Sequence, residues 1–293
     1  MQKWNVTVGE DSAGLRLDKF LALSFPEISR AHFAFLIKEG LVNVDSLTID
    51  SVKYKVIKGQ SVIAEDSHKT VGDIPVCDIE LKIVYEDEWM MVIDKPEGLI
   101  VHPVGRTKDS VIGALINRNS ILSNVDPQRP GIVHRLDKTT SGLMLIAKDD
   151  HIHAELAELF ANRRIHKEYT AIVRGRLLRV RGKIEVPLKR IPGTHKMRTS
   201  DTPDARESLT MYECIKSKDD YHLLNVVIRT GRMHQIRVHM KYIGCPVVGD
   251  TKYGGCPAPR IMLHCSKLSF IHPRTLQQVI FESQMPDAFN EYV

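Results

Sequence analysis

Residues 81–293 are dominated by short apolar runs of strand length, separated by residues that form turns. Helical periodicity interrupts this pattern at about 109–118, 151–161 and 234–243. Parallel strands need a long crossover, usually a helix, whereas antiparallel strands can be joined by short turns. We therefore predict an α+β fold with a large, mainly antiparallel β-sheet and flanking helices. The predicted strands are Lys82–Tyr85, Trp89–Ile93, Leu99–Val101, Leu143–Ala147, Glu168–Val173 and His222–Ile228.

The N-terminal part of the chain predicts a smaller unit of two helices and a few strands. Apolar side chains of Leu15–Leu23 fall on one helical face. A second helical run ends at Gly40, and Ser29 is its expected N-cap. Leu41–Asp45 and the segment after Gly59 have the composition of strands. This order predicts a compact α/β unit.

A polar stretch without periodicity, at residues 64 to 80, separates the two patterns. Such a composition is typical of linkers. A length of 293 residues is also what two domains would need. We predict a small domain over residues 1–64, a linker over 65–80 and a large domain over 81–293.

The composition is that of a globular protein, with 43% apolar and 26% charged residues. No apolar run approaches the roughly 18 residues that a membrane helix requires. The first residues lack the basic and apolar regions of a signal peptide. We expect a soluble, cytoplasmic protein with no membrane association.

Five cysteines are present, an odd number, and none is part of a Cys-x-x-Cys pair. Neither a disulfide framework nor a zinc ribbon is therefore expected. His264 and Cys265 could contribute half of a metal site, but adjacent side chains rarely converge on one ion. Sequence signatures of dinucleotide, phosphate-loop and His-Glu-x-x-His zinc sites are missing as well. We predict no metal and no other cofactor.

Positive charge is concentrated in residues 163–198, which contain twelve Lys or Arg and only two Glu. The local net charge is +10, and the rest of the chain is near −5 because the whole carries +5. A surface of this kind binds polyanions, because neutralising phosphates releases condensed counterions. The charge favours nucleic acid as the partner, and a solvated basic face without a partner is the alternative.

In the segment Gly131–Ala147, an acidic residue flanked by basic residues lies between two apolar runs. Thr139 to Gly142 are turn formers, so a solvated loop between two strands explains the pattern if it is taken alone. The rest of the chain has to change that interpretation. The charged or polar residues of this interruption are His134, Arg135, Asp137 and Lys138.

Taken with five further segments, this stretch resembles the RluA family of pseudouridine synthases. The string His134-Arg135-Leu136-Asp137, followed by Thr140-Ser141-Gly142-Leu143, is its most specific part. The resemblance covers nearly all of residues 81–275, and chance agreement of six motifs in one order is very improbable. The further segments are Asp94–Pro103, Lys167–Gly175, Thr230–His239, Gly249–Gly254 and Leu263–Leu268.

Residues 1–64 resemble the RNA-binding domain named after ribosomal protein S-four, in which two helices and a small sheet present basic side chains to RNA. The segment has eight Lys or Arg against seven Asp or Glu, so RNA binding would depend on one basic face. The matching basic residues are Arg16, Lys19, Arg30, Lys38 and Lys53.

The resemblance implies isomerisation of uridine in RNA to its carbon-linked isomer, pseudouridine. The bond from the sugar to nitrogen 1 breaks, the uracil turns, and carbon 5 is joined to the sugar. No redox change, group donor or metal is required. RNA is the implied partner, ribosomal RNA first and transfer RNA as the open alternative, and no obligate protein partner is expected. No motif encodes which uridine is modified.

Within this resemblance, Asp137 is the reactive group. Heterolysis of the glycosidic bond leaves positive character on the sugar, which one fixed carboxylate stabilises. Attack on the sugar and removal of a sugar proton are both open to it. Arg237 matches the family's base, and a bidentate guanidinium would orient Asp137 and keep it ionised in a dry pocket. Ile236 would form an apolar wall under the uracil.

Tyr169 and Arg135 have separate implied roles. Tyr169 lies in a strand, where a core tyrosine is the common outcome, but the family packs this residue on the target base. The phenol could also help remove the carbon 5 proton, although it is a weak base at neutral pH. Arg135 would fill the space that the extruded base leaves. Further matching positions, for substrate contact or for bracing the motifs, are His134, Lys95, His102, Arg232, His234 and His239.

A rival interpretation comes from another class of protein. A non-catalytic RNA-binding factor for ribosome assembly would bind RNA through residues 163–198, while the motif residues only hold the fold. Zinc-dependent base chemistry is a third interpretation, but it lacks a credible set of ligands. Activity that disappears in an Asp137→Ala variant would separate the enzyme from the factor.

Overall fold

The structure, a computed structural model, describes residues 2–26, 28, 30–66, 74–103, 107 and 109–293. The predicted N-cap Ser29 and residues 67–73 of the predicted linker lie outside these ranges. None of the described helices is both long enough and apolar enough to span a membrane.

The chain divides into two compact units, Met1–Ile74 with Ser123–Gly131, and Pro75–Leu122 with Ile132–Val293. The division after residue 74 falls within the predicted linker. Residues 123–131 are assigned differently from the sequence prediction, which includes them in the large domain. A single boundary in the sequence cannot show that a later segment of the chain belongs to the first unit.

The first unit contains both predicted helices and a small sheet. Its elements are β1 (Gln2–Thr7), α1 (Leu17–Ser24), α2 (Arg30–Lys38), β2 (Val42–Val44), β3 (Leu47–Thr48) and β4 (Ser61–Asp66). The strands pair antiparallel in the order β1-β4-β2-β3. Trp4, Leu17 and Phe33 are among the buried residues that form its core. Strand β1 is not among the sequence predictions, although Trp4 and Val6 alternate with polar residues as in a half-buried strand.

The second unit contains the remaining strands and three helices. They are β5 (Lys82–Glu86), β6 (Met90–Lys95), α3 (Val111–Asn117), β7 (Ser141–Ala147), α4 (Asp150–Ala161), β8 (His166–Arg174), β9 (Arg181–Ile184), β10 (Leu188–Arg190), β11 (Met197–Thr199), β12 (Thr210–Lys218), β13 (Tyr221–Ile228), α5 (Gln235–Tyr242), β14 (Leu263–Ile271) and β15 (Gln278–Glu282). The helices lie at the three predicted places.

Nine of these strands form one sheet in the order β5-β6-β7-β14-β8-β13-β12-β9, with β15 also paired to β14. Among the described strands, β7 and β14 run parallel and all other pairs in this sheet are antiparallel. The predicted α+β fold with a large, mainly antiparallel sheet is therefore confirmed. Strands β10 and β11 form a separate two-stranded hairpin.

The predicted strand Leu99–Val101 is wrong. This segment makes a single bridge, between Ile100 and Ser110. Its carbonyl oxygens accept hydrogen bonds from the first turn of α3, because Val111 donates to Ile100 at 2.9 Å and Ile112 to Val101 at 3.2 Å. An apolar run that caps a helix in this way looks like a buried strand in the sequence.

A glycine allows the loop that carries Asp137 to lead directly into the centre of the sheet. Gly142, at the start of β7, has a φ of +110°, a conformation that favours glycine. A Cβ atom at this position would lie 2.3 Å from the carbonyl oxygen of Cys265 on β14. The close approach of β7 and β14 thus requires glycine at position 142, just after the loop that carries Asp137.

Candidate active site

The Asp137 loop is tied to the protein frame and is not a freely solvated turn. The carbonyl oxygen of Lys138 accepts the amide of Gly98 at 2.9 Å and the Nζ of Lys95 at 3.3 Å. The amide of Thr140 donates to the carbonyl oxygen of Asp137 at 3.1 Å. These bonds fix the backbone on both sides of the carboxylate.

Lys95 braces this loop, which is one of the two roles, substrate contact or bracing of the motifs, that the sequence left open for it. The residue is fully buried at the end of β6. Its Nζ also donates to the carbonyl oxygens of Pro96 and Leu99, each at 2.8 Å. Burial lowers the pKa of Lys95 to about 8. Three carbonyl acceptors use the three donors of the ammonium, so none is left for RNA.

Arg237 holds Asp137, but its bidentate pair is with another residue. Its Nη1 donates to Oδ2 of Asp137 at 3.2 Å. Its Nε and Nη2 donate to the two carboxylate oxygens of Asp250, at 2.6 and 2.8 Å. The predicted bidentate contact with Asp137 is therefore wrong. The fork of the guanidinium goes to the more buried carboxylate, and Nη1 donates to the carboxylate that faces the cavity.

The Arg237–Asp250 pair is a buried anchor for the site. The side chains are 6% and 0% exposed, respectively. Burial by itself lowers the pKa of Arg237, but the hydrogen bonds and charge of Asp250, and then Asp137, outweigh it and raise the pKa above its ordinary value. The guanidinium therefore stays charged, as is required for it to orient Asp137.

The turn before Asp250 needs glycine at position 249. Gly249 has a φ of +82°, and a Cβ atom added there would lie 1.9 Å from the carbonyl oxygen of Arg260.

His234 and Tyr253 form a second contact to Asp137. His234 precedes α5 in the left-handed conformation, with a φ of +56°, and its Nε2 lies 3.7 Å from Oδ2 of Asp137. Its Nδ1 is 2.7 Å from the hydroxyl of Tyr253, which accepts the amide of Met197 at 2.8 Å. The phenol proton is thus available to Nδ1, which leaves the imidazole hydrogen on Nε2. Burial lowers the pKa of His234, so the ring is neutral at pH 7.

Asp137 opens onto a cavity of about 190 Å³, here called the Asp137 cavity. One side is apolar and the other carries the carboxylate and its partners, an arrangement typical of small-molecule and base-binding pockets. Ile236, on the first turn of α5, is buried in the apolar side as predicted. The apolar lining residues are Leu136, Tyr169, Ile228, Ile236 and Leu263.

Tyr169 lies on β8, next to β14, and presents a neutral phenol to the Asp137 cavity. The residue is 7% exposed and its strand partner is Cys265. Burial, and then Cys265 and Asp137, raise the pKa of Tyr169 well above its usual value. A protonated phenol does not accept a proton at neutral pH. The geometry fits the predicted packing on a base better than proton removal.

His134 and Arg135 point in different directions from the same loop. His134 stacks on Phe160 with ring centroids 4.5 Å apart, and its Nε2 accepts the amide of Leu145 at 2.8 Å. Burial lowers the pKa of His134 to about 3, so this ring is a neutral brace. Arg135 is exposed and lines the Asp137 cavity. Of the two, Arg135 is placed to contact a substrate.

The other predicted residues of the second unit also divide into residues that line the Asp137 cavity and residues that do not. Arg232 is half-buried and lines the Asp137 cavity, while its Nε donates to the carbonyl oxygen of Glu207 at 3.1 Å. His239 is fully buried, with Nδ1 2.8 Å from Thr210 Oγ1 and Nε2 3.0 Å from the Val186 carbonyl oxygen. It therefore braces α5. His102 is half-buried and does not line the cavity, so its substrate contact stays a prediction.

In the first unit, the predicted RNA-binding residues lie on the surface. Arg16 and Arg30 converge on the buried Asp18, with Nε to carboxylate distances of 3.0 and 2.9 Å. Burial raises the pKa of Asp18, but the two guanidinium groups outweigh it and lower the pKa overall. Both arginine side chains keep about half of their surface exposed. Lys19, Lys38 and Lys53 are exposed.

The residues considered for a metal site do not converge. Nδ1 of His264 is 2.8 Å from Ser141 Oγ, and its Nε2 is 3.0 Å from Ser283 Oγ. In the part of the chain that the structure describes, no group of three His, Cys, Asp or Glu side chains is arranged to hold an ion.

A family model described as RNA pseudouridylate synthase matches residues 89–242, just over half of the chain. An uncharacterized RNA pseudouridine synthase of Bacillus subtilis is 35% identical over 300 residues, which cover 100% of this chain and 98% of that protein. The chain belongs to the RNA pseudouridine synthase family. It is an enzyme of the isomerase class, as predicted.

Two further relatives extend this result. The ribosomal large subunit pseudouridine synthase D of Pseudomonas aeruginosa is 36% identical, with 94% of this chain and 90% of that protein covered. The solved structure of human RNA pseudouridylate synthase domain containing 1 superposes with a TM-score of 0.60 at 26% identity. That match covers 73% of this chain and 86% of the human chain.

The site of this pseudouridine synthase includes two residues that the sequence predictions do not name, Asp250 and Tyr253. Both lie in Gly249–Gly254, a segment that carries part of the family resemblance. The segment was therefore visible as a motif. Its contacts with Arg237 and His234 were not visible, because spacing along the chain does not show which motifs contact each other in the fold.

Proposed function

We propose that this enzyme converts uridines of large-subunit ribosomal RNA to pseudouridine, with Asp137 as the reacting carboxylate and without a cofactor. The ribosomal substrate is supported by relatives named ribosomal large subunit pseudouridine synthase D, such as the Pseudomonas aeruginosa protein. The concentration of positive charge in residues 163–198 also supports RNA as the partner.

The state of the Asp137 carboxylate is the observation that carries the proposal. Arg237 holds Oδ2 at 3.2 Å, whereas Oδ1 accepts no hydrogen bond from any residue that the structure describes. The side chain is 21% exposed and lines the cavity. One oxygen is thus held in place and the other is open to a substrate. A free oxygen that faces a cavity is what a reacting carboxylate needs.

The chemistry assigns a task to each side of the cavity. As the bond between the sugar and nitrogen 1 breaks, electrons remain with the uracil and positive character grows on the sugar. The open oxygen of Asp137 stabilises that charge or reacts with the sugar. The apolar walls at Tyr169 and Ile236 hold the detached uracil while it turns. Carbon 5 then joins the sugar, its proton leaves, and nitrogen 1 gains a proton, so the atoms balance.

Access to Asp137 requires that the target base leave its stack. The cavity lies behind an exposed arginine, Arg135, which would occupy the place of the extruded uridine. Unstacking one base costs a few kcal/mol, and contacts to the vacated site offset that cost. The first unit would contribute RNA affinity through Arg16, Lys19, Arg30, Lys38 and Lys53, as the S-four resemblance implies.

Pseudouridine sequencing of RNA from cells with and without this protein tests the substrate. One or more large-subunit ribosomal uridines should lose the modification when the gene is removed. If modified positions change in transfer RNA and not in ribosomal RNA, the ribosomal part of the proposal is wrong.

Release of tritium from RNA labelled at uridine carbon 5 tests the role of Asp137. Asp137→Asn should bind RNA as the wild type does but release no tritium above background. Asp220→Asn is a matched control, because Asp220 is a half-exposed carboxylate paired with Arg174. Tritium release by the Asp137→Asn enzyme at more than about one hundredth of the wild-type rate would reject the assignment.

A further inference from the structure

A second pocket lies beside the Asp137 cavity, and its charged lining is entirely basic. It has a volume of about 440 Å³ and is called the basic pocket here. Among the residues that the structure describes, no Asp or Glu lines it. Its charged lining residues are Arg135, Arg163, Lys167, Arg229 and Arg232.

These five cations lack ion pairs with any described carboxylate, unlike several basic residues in the stretch 163–198. Arg174 pairs with Asp220 at 2.7 Å, and Lys189 with Asp204 at 2.7 Å. Arg163 and Arg229, by contrast, are exposed at the mouth of the basic pocket with no such partner in the described chain. Like charges that converge on one cleft repel each other and focus a positive potential within it. The arrangement costs stability unless an anion enters.

Lys167 extends this charge below the surface. The residue is 7% exposed, and its Nζ lies 5.5 Å from the centre of the Phe160 ring. Nζ donates to the carbonyl oxygen of Ile165 at 3.2 Å. Burial, more than any nearby charge, lowers the pKa of Lys167. An ammonium has three donors, so an anion in the pocket would use those that Ile165 leaves.

The basic pocket and the Asp137 cavity share a wall. Five residues line both of them: Arg135, Tyr169, Ile228, Gly231 and Arg232. An anion in the basic pocket would therefore lie across this wall from the base on which Asp137 acts. In a nucleic acid, the anion that close to a base is a phosphate of the backbone.

We propose that the basic pocket binds a backbone phosphate of the RNA next to the target uridine, through Arg163, Lys167 and Arg229. Arginine recognises phosphate through paired N–H donors, and lysine through a point charge. Contacts of this kind position the chain without reading its sequence. The role in placing the target rests on the proposed function, since it requires that the base in the Asp137 cavity be a uridine of RNA.

The salt dependence of RNA binding tests the anion site without knowledge of the target. The probe is an oligouridine RNA, and the Asp137→Asn background prevents turnover. Arg163→Gln and Arg229→Gln should each weaken binding at low salt by about tenfold. Each should also reduce the slope of log affinity against log salt by up to about 0.7, the value for the complete loss of one phosphate contact with a single strand.

Arg274→Gln is the matched control, because it removes one arginine charge that is paired with Glu155 at 3.3 Å. Its salt slope should equal that of the parent protein. Equal slopes for Arg163→Gln, Arg229→Gln and the control would overturn the anion site. If Arg163→Gln and Arg229→Gln weaken the binding of inorganic phosphate but leave the affinity for oligouridine unchanged, the pocket is a site for free phosphate and the RNA assignment is wrong.

A neutral methylphosphonate, placed at each linkage around the mapped target uridine in turn, tests the position. One linkage beside the target should weaken binding to the parent protein by more than it weakens binding to the Arg229→Gln variant, because both changes remove contacts to the same phosphate. Additive losses at every linkage would overturn the position. If the wild type forms pseudouridine in no RNA but the salt slopes change as expected, the proposed function fails while the anion site stands.

Discussion

The Asp137 cavity and the basic pocket share a wall but differ in how their charges are balanced. In the Asp137 cavity, Asp250 and Asp137 compensate Arg237 within the protein. In the basic pocket, the described residues provide no carboxylate for Arg163, Lys167 or Arg229. A reacting group has to be held in place before the substrate arrives, whereas a phosphate contact can wait for the anion to supply the missing charge. The two kinds of site should therefore respond differently when one charge is removed.

The largest effect on stability is expected from Asp250→Ala. The change leaves the 6%-exposed guanidinium of Arg237 with a single carboxylate partner, Asp137, which it contacts through one hydrogen bond. Breaking a buried pair in this way typically costs about 3–5 kcal/mol of unfolding free energy. Urea denaturation measures the loss, and turnover should fall with it. The double change Arg237→Met with Asp250→Leu leaves no buried charge and should cost less. Equal losses in the two proteins would show that the pair does not behave as a buried ion pair.

The next effect is a pH dependence of stability that comes from His134. Its pKa is about 3 in the folded protein and 6.5 ordinarily, so between these values the unfolded chain binds more protons. The unfolding free energy should therefore fall as pH decreases from 6.5 towards 3, by up to about 1.4 kcal/mol per pH unit. His134→Gln retains an acceptor for Leu145 but does not titrate, so its curve should be flatter. Parallel curves for the two proteins from pH 4.5 to 7 would contradict this account.

A smaller effect is expected on turnover from Tyr169→Phe. Because the phenol is protonated and packs in the wall of the Asp137 cavity, removing its hydroxyl should slow tritium release by less than about tenfold. A phenol that acted as the base would contribute about 10²–10⁴-fold, so a loss in that range would restore the proton-removal role. Tyr169→Ala, which removes the wall itself, should be much slower than Tyr169→Phe.

The smallest effects on stability should come from the basic pocket. Arg163→Gln and Arg229→Gln remove exposed charges that have no carboxylate partner among the described residues. The unfolding free energy should change by less than about 0.5 kcal/mol, or rise as repulsion is relieved. Urea denaturation of both variants beside Arg237→Gln gives the direct comparison. A loss of several kcal/mol at Arg163 or Arg229 would mean that these residues hold the fold.

Sequence patterns predicted the elements best where periodicity is undisturbed by function. The three helices of the large domain and strands β5, β6, β7, β8 and β13 lie where they were predicted. The central strand β14 was missed, although its segment was visible as a motif. Its buried His264 is polar and is satisfied only by hydroxyl groups from distant positions, Ser141 and Ser283. A buried polar residue interrupts the apolar pattern unless its partners are known.

The sequence motifs likewise indicated some site residues but did not show the roles of others. Asp137, Tyr169, Ile236 and Arg237 all line the Asp137 cavity, and the motifs indicated each of them. For Lys95, the family position left substrate contact and bracing of the motifs both open, because exposed and buried lysines look alike in a sequence. Residues 163–198 were predicted as one basic surface, but several of their charges are compensated, for example by Asp204 and Asp220.

The amino-acid sequence alone determined the fold class and the family resemblance, and it is also the source of the proposal that Asp137 is the reactive acid. These depend on local periodicity and on ordered motifs, which a chain displays one residue after another. Only the tertiary structure decided that Arg237 divides its donors between Asp250 and Asp137, and which basic residues lack a carboxylate. Both depend on distances between residues up to a hundred positions apart, and those distances are set by the pairing of strands and the turns of Gly142 and Gly249.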